Sequence, residues 1–150
     1  MRIAIGCDDT GFPLKEHVTS ALEAAGHDLL DLGTFSKDPV DYPDYARAVG
    51  QAVLRGFVDA GILMCGSGAS ASIAANKLRG IRGALCHDAQ AARLSREEDD
   101  ANVLCLSADL VGEELMAQMI RLWLDTPFEA GRHARRVEKI TQIEAGEFGS

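Results

Sequence analysis

A cysteine followed by glycines and small hydroxyl residues stands at positions 64–70, directly after an apolar run. The pattern predicts a strand that turns tightly into a helix, so that consecutive backbone N–H groups point into one concavity. Because a helix N-terminus favours negative charge, we expect it to lower the pKa of Cys65 and to increase its thiolate fraction. A thiolate beside such donors can take a proton next to a carbonyl while the donors hold the enediolate oxygen. The donors would come from Gly66, Ser67, Gly68, Ala69 and Ser70.

The same segment has two other interpretations. It lacks the lysine of a Walker motif and the spacing of a dinucleotide-binding loop, so nucleotide binding has little support. A tight turn with a buried structural cysteine is the simpler alternative, and the segment alone does not decide between that turn and a catalytic base.

Arg132 and Arg136 are four residues apart, which places them on one face of a predicted helix. Two guanidinium groups that face together suit a phosphate or a carboxylate. A basic helix end exposed to solvent is the alternative, although a local basic cluster is more notable in an otherwise acidic chain. His133 falls on a different helix face, and we assign it no function.

Several acidic and aromatic side chains follow predicted strands or helices. Asp8 and Asp9 come after the first strand, where Asp8 either binds sugar hydroxyls or caps a turn. Tyr42 stands at a helix entry and either faces a ligand or packs. Glu98 and Asp99 belong to an acidic run at a helix end, a pattern typical of a solvated surface.

Apolar, β-rich runs alternate with helical periodicity along the whole chain. This alternation predicts βαβ units, and therefore a single domain over residues 1–150 with an α/β fold: a Rossmann-like three-layer αβα sandwich around a five-stranded parallel sheet. Ligands gather at the carboxyl ends of the strands in such folds. Strands are predicted at 2–6, 27–32, 58–65, 81–87 and 102–106, and helices at 13–25, 43–55, 69–75, 88–97, 112–126 and 131–143.

The composition is that of a globular protein, with 47% hydrophobic and 25% charged residues, and 23 acidic against 15 basic side chains. The resulting net charge of −8 argues against binding to nucleic acid or to anionic membranes. The N-terminus turns acidic too soon for a signal peptide, and no apolar run approaches a membrane span. We expect a soluble cytoplasmic protein. The four cysteines are too widely spaced for a zinc site or a disulfide framework, so we expect free thiols.

Taken together, these segments resemble the sugar-phosphate isomerase family of type B ribose-5-phosphate isomerase and galactose-6-phosphate isomerase. The resemblance runs essentially from end to end, and its many matched segments make it specific. It is carried by Ile3–Asp8, Gly11-Phe12, Leu14-Lys15, Asp41–Asp44, Cys65–Gly68, Ala75–Lys77, Gly80–Arg82, Ser95-Arg96, Ala101–Leu104 and Gly131–Ile140.

The resemblance implies an aldose–ketose isomerase without metal or other cofactor, acting on a sugar phosphate as a homodimer or tetramer with sites shared between subunits. It implies that the C-terminal helix, at about 131–144, packs on the partner. Cys65 matches the base, and Ser67 a hydroxyl that relays protons among substrate oxygens. The remaining matches are substrate-binding positions: the N–H groups of Gly66, Gly68, Ala69 and Ser70 around the enediolate, Asp8 and Tyr42 near the sugar, and Arg132 and Arg136 at the phosphate.

The departures from the family pattern point to an unusual substrate. Asp9 stands where the family has a histidine associated with the phosphate end of the substrate, and Glu98 stands where it has a histidine associated with ring opening. Asp99 replaces an asparagine that donates a hydrogen bond to the substrate. Either Glu98 replaces the ring-opening histidine, or the substrate needs no ring opening. A tetrose 4-phosphate fits the second case because it cannot close a furanose ring.

Our first-ranked function is an isomerase acting on a sugar phosphate other than ribose 5-phosphate. Its substrate would be a tetrose phosphate or another pentose or hexose phosphate. An ordinary ribose-5-phosphate isomerase comes second, and a non-catalytic sugar-phosphate-binding homologue third. A flavodoxin-like nucleotide or redox module has only the generic fold in its favour.

Overall fold

The structure is a computed structural model and describes residues 1–147. Its centre is one five-stranded sheet in the order β2-β1-β3-β5-β4, and every neighbouring pair is parallel. The predicted α/β sandwich with five parallel strands is therefore confirmed. The strands are β1 (Arg2–Cys7), β2 (Asp28–Asp31), β3 (Ala60–Cys65), β4 (Gly83–Leu85) and β5 (Val103–Ser107).

Six helices connect and cover the strands. On one face of the sheet, α1, α4 and α5 pack against a core that contains Ile62, Leu104, Met119 and Trp123. On the other face, α2 and α3 cover a core that contains Val49, Leu63 and Cys105. The helices are α1 (Phe12–Ala24), α2 (Tyr42–Leu54), α3 (Ala69–Ala75), α4 (Ala89–Glu97), α5 (Glu113–Asp125) and α6 (Ala130–Glu144).

The two edges of the sheet matter for function. All strands end at one edge, here called the carboxyl edge, and begin at the opposite amino edge, because every pair is parallel. Residues that follow a strand therefore lie at the carboxyl edge, whereas residues that end a helix and precede a strand lie at the amino edge. β3 and β5 are buried along their whole lengths at the centre, so both edges are held by a rigid scaffold.

The last helix, α6, packs little against its own chain. His133 is its only buried residue, while Ile140 and Ile143 are 41% and 59% exposed. Hydrogen bonds attach the helix to the rest of the chain at its two ends. The Glu129 N–H donates to the Glu97 carbonyl at 2.9 Å, and the Glu144 carboxylate accepts from the Gly80 N–H at 3.1 Å. Between these two hydrogen bonds, the helix has an exposed amphipathic surface.

No helix within residues 1–147 is long and apolar enough to span a membrane.

Candidate active site

The Cys65 thiol lies at the carboxyl edge as the last residue of β3 and is 2% exposed. The backbone N–H groups of Ala71, Gly68 and Ser70 favour its thiolate, as expected from the sequence. Burial nevertheless outweighs these donors, and the pKa of Cys65 is raised above its ordinary value of 9.0. The expectation of a lowered pKa is wrong, because the loss of hydration destabilises the thiolate more than the N–H donors stabilise it.

Tight packing fixes the backbone that follows Cys65. Gly68 adopts a left-handed conformation with φ of +78°, and a Cβ there would lie 2.5 Å from Leu85 Cδ1. The carbonyl of Gly66 accepts two hydrogen bonds, from the Ser107 hydroxyl at 2.7 Å and from the Asp109 N–H at 3.0 Å. Glycine is therefore required at position 68, and the end of β5 holds the loop in place.

Ser67 is the exposed side chain of this loop. Its hydroxyl accepts a hydrogen bond from the Ala69 N–H at 3.2 Å and keeps its own proton available for donation. The position suits a group that contacts a ligand over the loop.

Asp8 lies in the loop that follows β1 at the carboxyl edge, and this loop packs against the end of β3 beside Cys65. Its Oδ1 accepts from the Gly11 N–H at 2.9 Å, and a Cβ at Gly11 would lie only 2.4 Å from the Met64 carbonyl oxygen. Burial, followed by the charge of Asp9, raises the pKa of Asp8, although backbone donors oppose them. Asp8 therefore supports a turn, as one of the two interpretations predicted, and its charge also raises the pKa of Cys65.

Asp9 and Tyr42 lie at the same edge. The Asp9 Oδ1 accepts from the Val40 N–H at 3.2 Å, which fastens the long connection between β2 and α2. Tyr42 begins α2 and is 40% exposed, so its ring is available to a ligand.

Three side chains that the sequence analysis did not single out also shape the carboxyl edge. Ser107 is fully buried and bridges the Gly66 carbonyl and the Leu110 N–H. Asp109 packs against Gly66. Lys15 is 6% exposed, and its ammonium binds Asp31 at 2.9 Å and the Thr34 carbonyl at 2.6 Å. Pairing of β3 with β5 brings Ser107 and Asp109 to Gly66, and packing of α1 brings Lys15 to Asp31, so local sequence patterns do not reveal these contacts.

Glu98 and Asp99 lie at the amino edge. Glu98 directly follows α4, its N–H donates to the Leu94 carbonyl at 2.9 Å, and the chain then leads into β5. The Arg82 guanidinium donates to the carbonyls of Asp99 and Asp100 at 3.2 and 2.9 Å. Glu98 is half-buried and Asp99 is exposed, so both carboxylates are accessible from this edge.

The basic cluster of α6 lies near these carboxylates. Arg132 and Arg136 are exposed, whereas His133 between them is 6% exposed and close enough to Asp99 to lower the pKa of that carboxyl. Burial and the charge of Glu98 act more strongly, so the pKa of Asp99 is raised overall. His133 is the buried residue of α6, so its side chain packs on its own chain.

The candidate residues therefore form two groups rather than one. Cys65 is paired in register with Ser107, and Gly61 with Val103, at the two ends of β5. At about 3.3 Å per residue, these ends are roughly 13 Å apart, and Asp99 lies beyond the start of the strand. Cys65, Ser67, Asp8, Asp9 and Tyr42 lie at the carboxyl edge, whereas Glu98, Asp99, Arg132 and Arg136 lie at the amino edge. One chain does not bring the two groups together.

No group of three or more His, Cys, Asp or Glu side chains is arranged to hold a metal ion among residues 1–147. The four cysteines are free thiols, and all four are buried.

Comparison with known proteins gives consistent matches over nearly the whole chain. The model of a family described as Ribose/Galactose Isomerase matches residues 3–140. Ribose-5-phosphate isomerase B of Escherichia coli is 47% identical over 143 residues, 95% of this chain and 96% of the relative. D-erythrulose-4-phosphate isomerase of Pectobacterium atrosepticum is 40% identical over 148 residues, 96% of this chain and 95% of the relative. The solved structure of ribose-5-phosphate isomerase B from Clostridium thermocellum has a TM-score of 0.96 at 44% identity and covers 99% of this chain and 100% of that one.

Proposed function

The chain belongs to the ribose/galactose isomerase family, and on that premise we propose that Cys65 is the base with which it interconverts aldose and ketose sugar phosphates. The thiolate would remove the proton from the carbon next to the substrate carbonyl, which leaves an enediolate. Returning that proton to the neighbouring carbon gives the isomeric sugar. No atom is gained or lost, and no electron acceptor is needed.

One observation carries the assignment of the base. The Cys65 sulfur is buried and faces three backbone N–H groups, at the edge of the sheet where ligands of this fold gather. The raised pKa makes Cys65 a stronger base and leaves a smaller fraction deprotonated at neutral pH. The N–H donors that favour the thiolate also suit an enediolate oxygen, and the Ser67 hydroxyl would pass a proton between the two substrate oxygens.

Deuterium exchange tests the base directly. The wild type is expected to incorporate solvent deuterium at the carbon beside the carbonyl of its substrate, and Cys65→Ala is expected to lose this exchange while still binding the sugar phosphate. Cys86→Ala is the matched control, since it removes another buried thiol from the opposite face of the sheet. Exchange that persists in Cys65→Ala, or binding without any exchange by the wild type, would reject the proposal.

We favour a tetrose 4-phosphate as the substrate. Asp9, Glu98 and Asp99 place anionic or accepting groups where the family has histidines and an asparagine, and the histidine associated with ring opening is among those replaced. A tetrose phosphorylated on its last carbon cannot close a furanose ring and does not need that group. The 40% identity to a D-erythrulose-4-phosphate isomerase adds support.

Ribose 5-phosphate is the second candidate, favoured by the 47% identity to a ribose-5-phosphate isomerase B. Initial rates with erythrulose 4-phosphate, ribulose 5-phosphate and a ketohexose 6-phosphate would separate the candidates. We expect the highest kcat/KM with the tetrose; a pentose preference would favour the second candidate.

We further propose that a second copy of the chain completes the site. Glu98, Asp99, Arg132 and Arg136 of one copy would meet Cys65 of the other, and the exposed apolar residues of α6 would pack on the partner. The distance between the two groups within one chain and the open surface of α6 both support this arrangement. The guanidinium groups would then bind the phosphate. A homodimer is the smallest assembly that satisfies the proposal.

A further inference from the structure

The turn between α4 and β5, at residues 98–101 of the amino edge, has an uncommon backbone conformation. Asp100 adopts a φ of +49°, in the left-handed region that residues other than glycine rarely occupy. Such a conformation persists only where surrounding groups hold it in place. The direction in which the neighbouring Asp99 carboxylate leaves the turn therefore depends on the groups that hold Asp100.

The Arg82 side chain binds this turn from the start of β4. Its Nε donates to the carbonyls of Asp99 and Asp100 at 3.2 and 2.9 Å, and its Nη2 donates to the Asp100 carboxylate at 3.2 Å. One planar guanidinium thus contacts two consecutive carbonyls and a carboxylate, a geometry that the ammonium group of lysine does not reproduce. Because Arg82 binds Asp99 through its backbone carbonyl, the exposed side chain of Asp99 stays available to a ligand.

Two further residues make this support rigid. The Arg82 N–H donates to the Asn102 Oδ1 at 2.8 Å, and the Arg82 carbonyl accepts from the Asn102 N–H at 3.0 Å. The Arg96 guanidinium donates to the Ala101 carbonyl and lies over the Trp123 ring, 5.0 Å from its centroid. The Arg82 side chain is only 24% exposed, so its guanidinium lies against the turn rather than in solvent.

We propose that Arg82 is a positioning residue, which holds the Asp99 carboxylate where it accepts a hydrogen bond from a sugar hydroxyl in the site completed by a second copy. The inference rests on the proposed function, in which Asp99 of one copy meets Cys65 of the other. Arg82 acts through the backbone of Asp99 and Asp100 rather than by binding the substrate itself. Its loss should therefore weaken sugar-phosphate binding only as far as Asp99 contributes to that binding.

A double-mutant cycle measured by calorimetric binding tests this dependence without requiring turnover. The probes are erythritol 4-phosphate and ribitol 5-phosphate, which keep the hydroxyls and the phosphate but have no carbonyl to isomerise. Arg82→Ala and Asp99→Ala should each weaken binding of the probe that the wild type binds more tightly by about tenfold. The double variant should bind that probe within about threefold of either single variant, because both substitutions remove the same interaction.

Inorganic phosphate separates positioning of the sugar from a general loss of structure. Arg132 and Arg136 are the proposed phosphate ligands, so Arg82→Ala should change the affinity for inorganic phosphate by less than about threefold. A variant that had lost its fold or its assembly would instead bind both kinds of probe poorly. Thermal unfolding and the molecular mass in solution check the fold and the assembly of each variant.

Arg82→Lys is a second variant that keeps the charge and most of the length of the side chain. Because lysine lacks the planar fork, we expect binding of the sugar probe to weaken by at least about threefold. Wild-type affinity in a folded Arg82→Lys variant would overturn the inference, since the geometry of the guanidinium would then be irrelevant.

Arg93→Ala is the matched control, because it removes an arginine of α4 that pairs with Glu97 within the same helix. An equal loss in this control would reduce the effect to net charge and overturn the inference. Losses that multiply in the double variant, or equal weakening of sugar probe and inorganic phosphate in Arg82→Ala, would also overturn it. If the wild type binds the sugar probes but never exchanges deuterium into a ketose phosphate, the proposed isomerase function fails instead, while the cycle still decides the role of Arg82.

Discussion

Within one chain, the Cys65 thiol and the Glu98 carboxylate belong to opposite edges of the sheet. Cys65 ends β3, whereas Glu98 directly follows α4, the helix that returns from the carboxyl edge to the start of β5. Because β3 and β5 are parallel and paired in register, the length of the sheet separates the two residues. Any reaction that uses both side chains therefore needs two copies of the chain.

The pH dependence of activity should report the buried base. Since burial raises the pKa of Cys65 above 9.0, the thiolate is the minor form at neutral pH. We expect kcat/KM, which reports the free enzyme, to keep rising about tenfold per pH unit up to at least about pH 9. An inflection near neutral pH would contradict this expectation, and Cys86→Ala should leave the profile unchanged.

The buried thiols should make the fold sensitive to alkali. Burial raises the pKa of Cys7 to about 11 and that of Cys105 to about 12, so in the unfolded chain these groups lose their protons first. These two thiols contribute fully to the free energy of unfolding at pH values below their pKa in the unfolded chain. The contribution is lost as the pH rises through their pKa values in the folded protein. For Cys7, the free energy of unfolding should fall by about 2 kcal/mol between about pH 8 and about pH 10.5.

Urea unfolding of the wild type and Cys7→Ala at the two pH values measures this loss. The variant should lose correspondingly less stability on going to the higher pH, whatever its stability at pH 8. An equal fall in both proteins would assign the alkaline sensitivity to other groups.

Glu98 should matter only for substrates that close a ring, if it replaces the ring-opening histidine. Glu98→Gln removes the exchangeable carboxyl proton at nearly constant size. We expect kcat for ribose 5-phosphate to fall by about 100-fold and kcat for erythrose 4-phosphate to change by less than about threefold. Equal losses on both sugars would assign Glu98 to a step common to both, and no loss on either would leave it as a solvated surface residue.

Ser107 should position the loop that carries the enediolate donors. Ser107→Ala removes the hydrogen bonds to the Gly66 carbonyl and from the Leu110 N–H, at a cost of about 1–2 kcal/mol in the free energy of unfolding. We expect kcat to fall by about tenfold with a smaller change in KM, because the donors act mainly in the transition state.

Ser20→Ala, on the exposed surface of α1, is the control for the loss of a hydroxyl. If Ser107→Ala is destabilised but keeps its kcat, the residue supports the fold without positioning the donors.

The alternation of apolar runs and helical periods predicted all five strands and all six helices, since each buried strand and each amphipathic helix carries its own period. The fourth strand is shorter than predicted, Gly83–Leu85 rather than 81–87. The Asn102 side chain accounts for its start, because its Oδ1 accepts from the Arg82 N–H at 2.8 Å and replaces a strand partner.

The site was less predictable than the fold. The pattern around Cys65 correctly identified a thiol facing backbone donors, but the sign of its pKa shift depends on burial by residues distant in sequence. The contact of His133 with its own chain and the convergence of Ser107 and Asp109 on Gly66 arise only from tertiary packing. Local periodicity carries no information about such contacts.

Mixing two inactive variants tests the shared site most directly. Cys65→Ala lacks the proposed base, and Arg136→Ala lacks a proposed phosphate ligand at the opposite edge of the sheet. If each site takes Cys65 from one copy and Arg136 from the other, equal amounts of the two variants, unfolded and reassembled together, should recover about a quarter of the wild-type activity. Recovery to this level is the predicted result. Activity no higher than that of the separately reassembled variants, with mixed dimers shown to be present, would contradict the shared site.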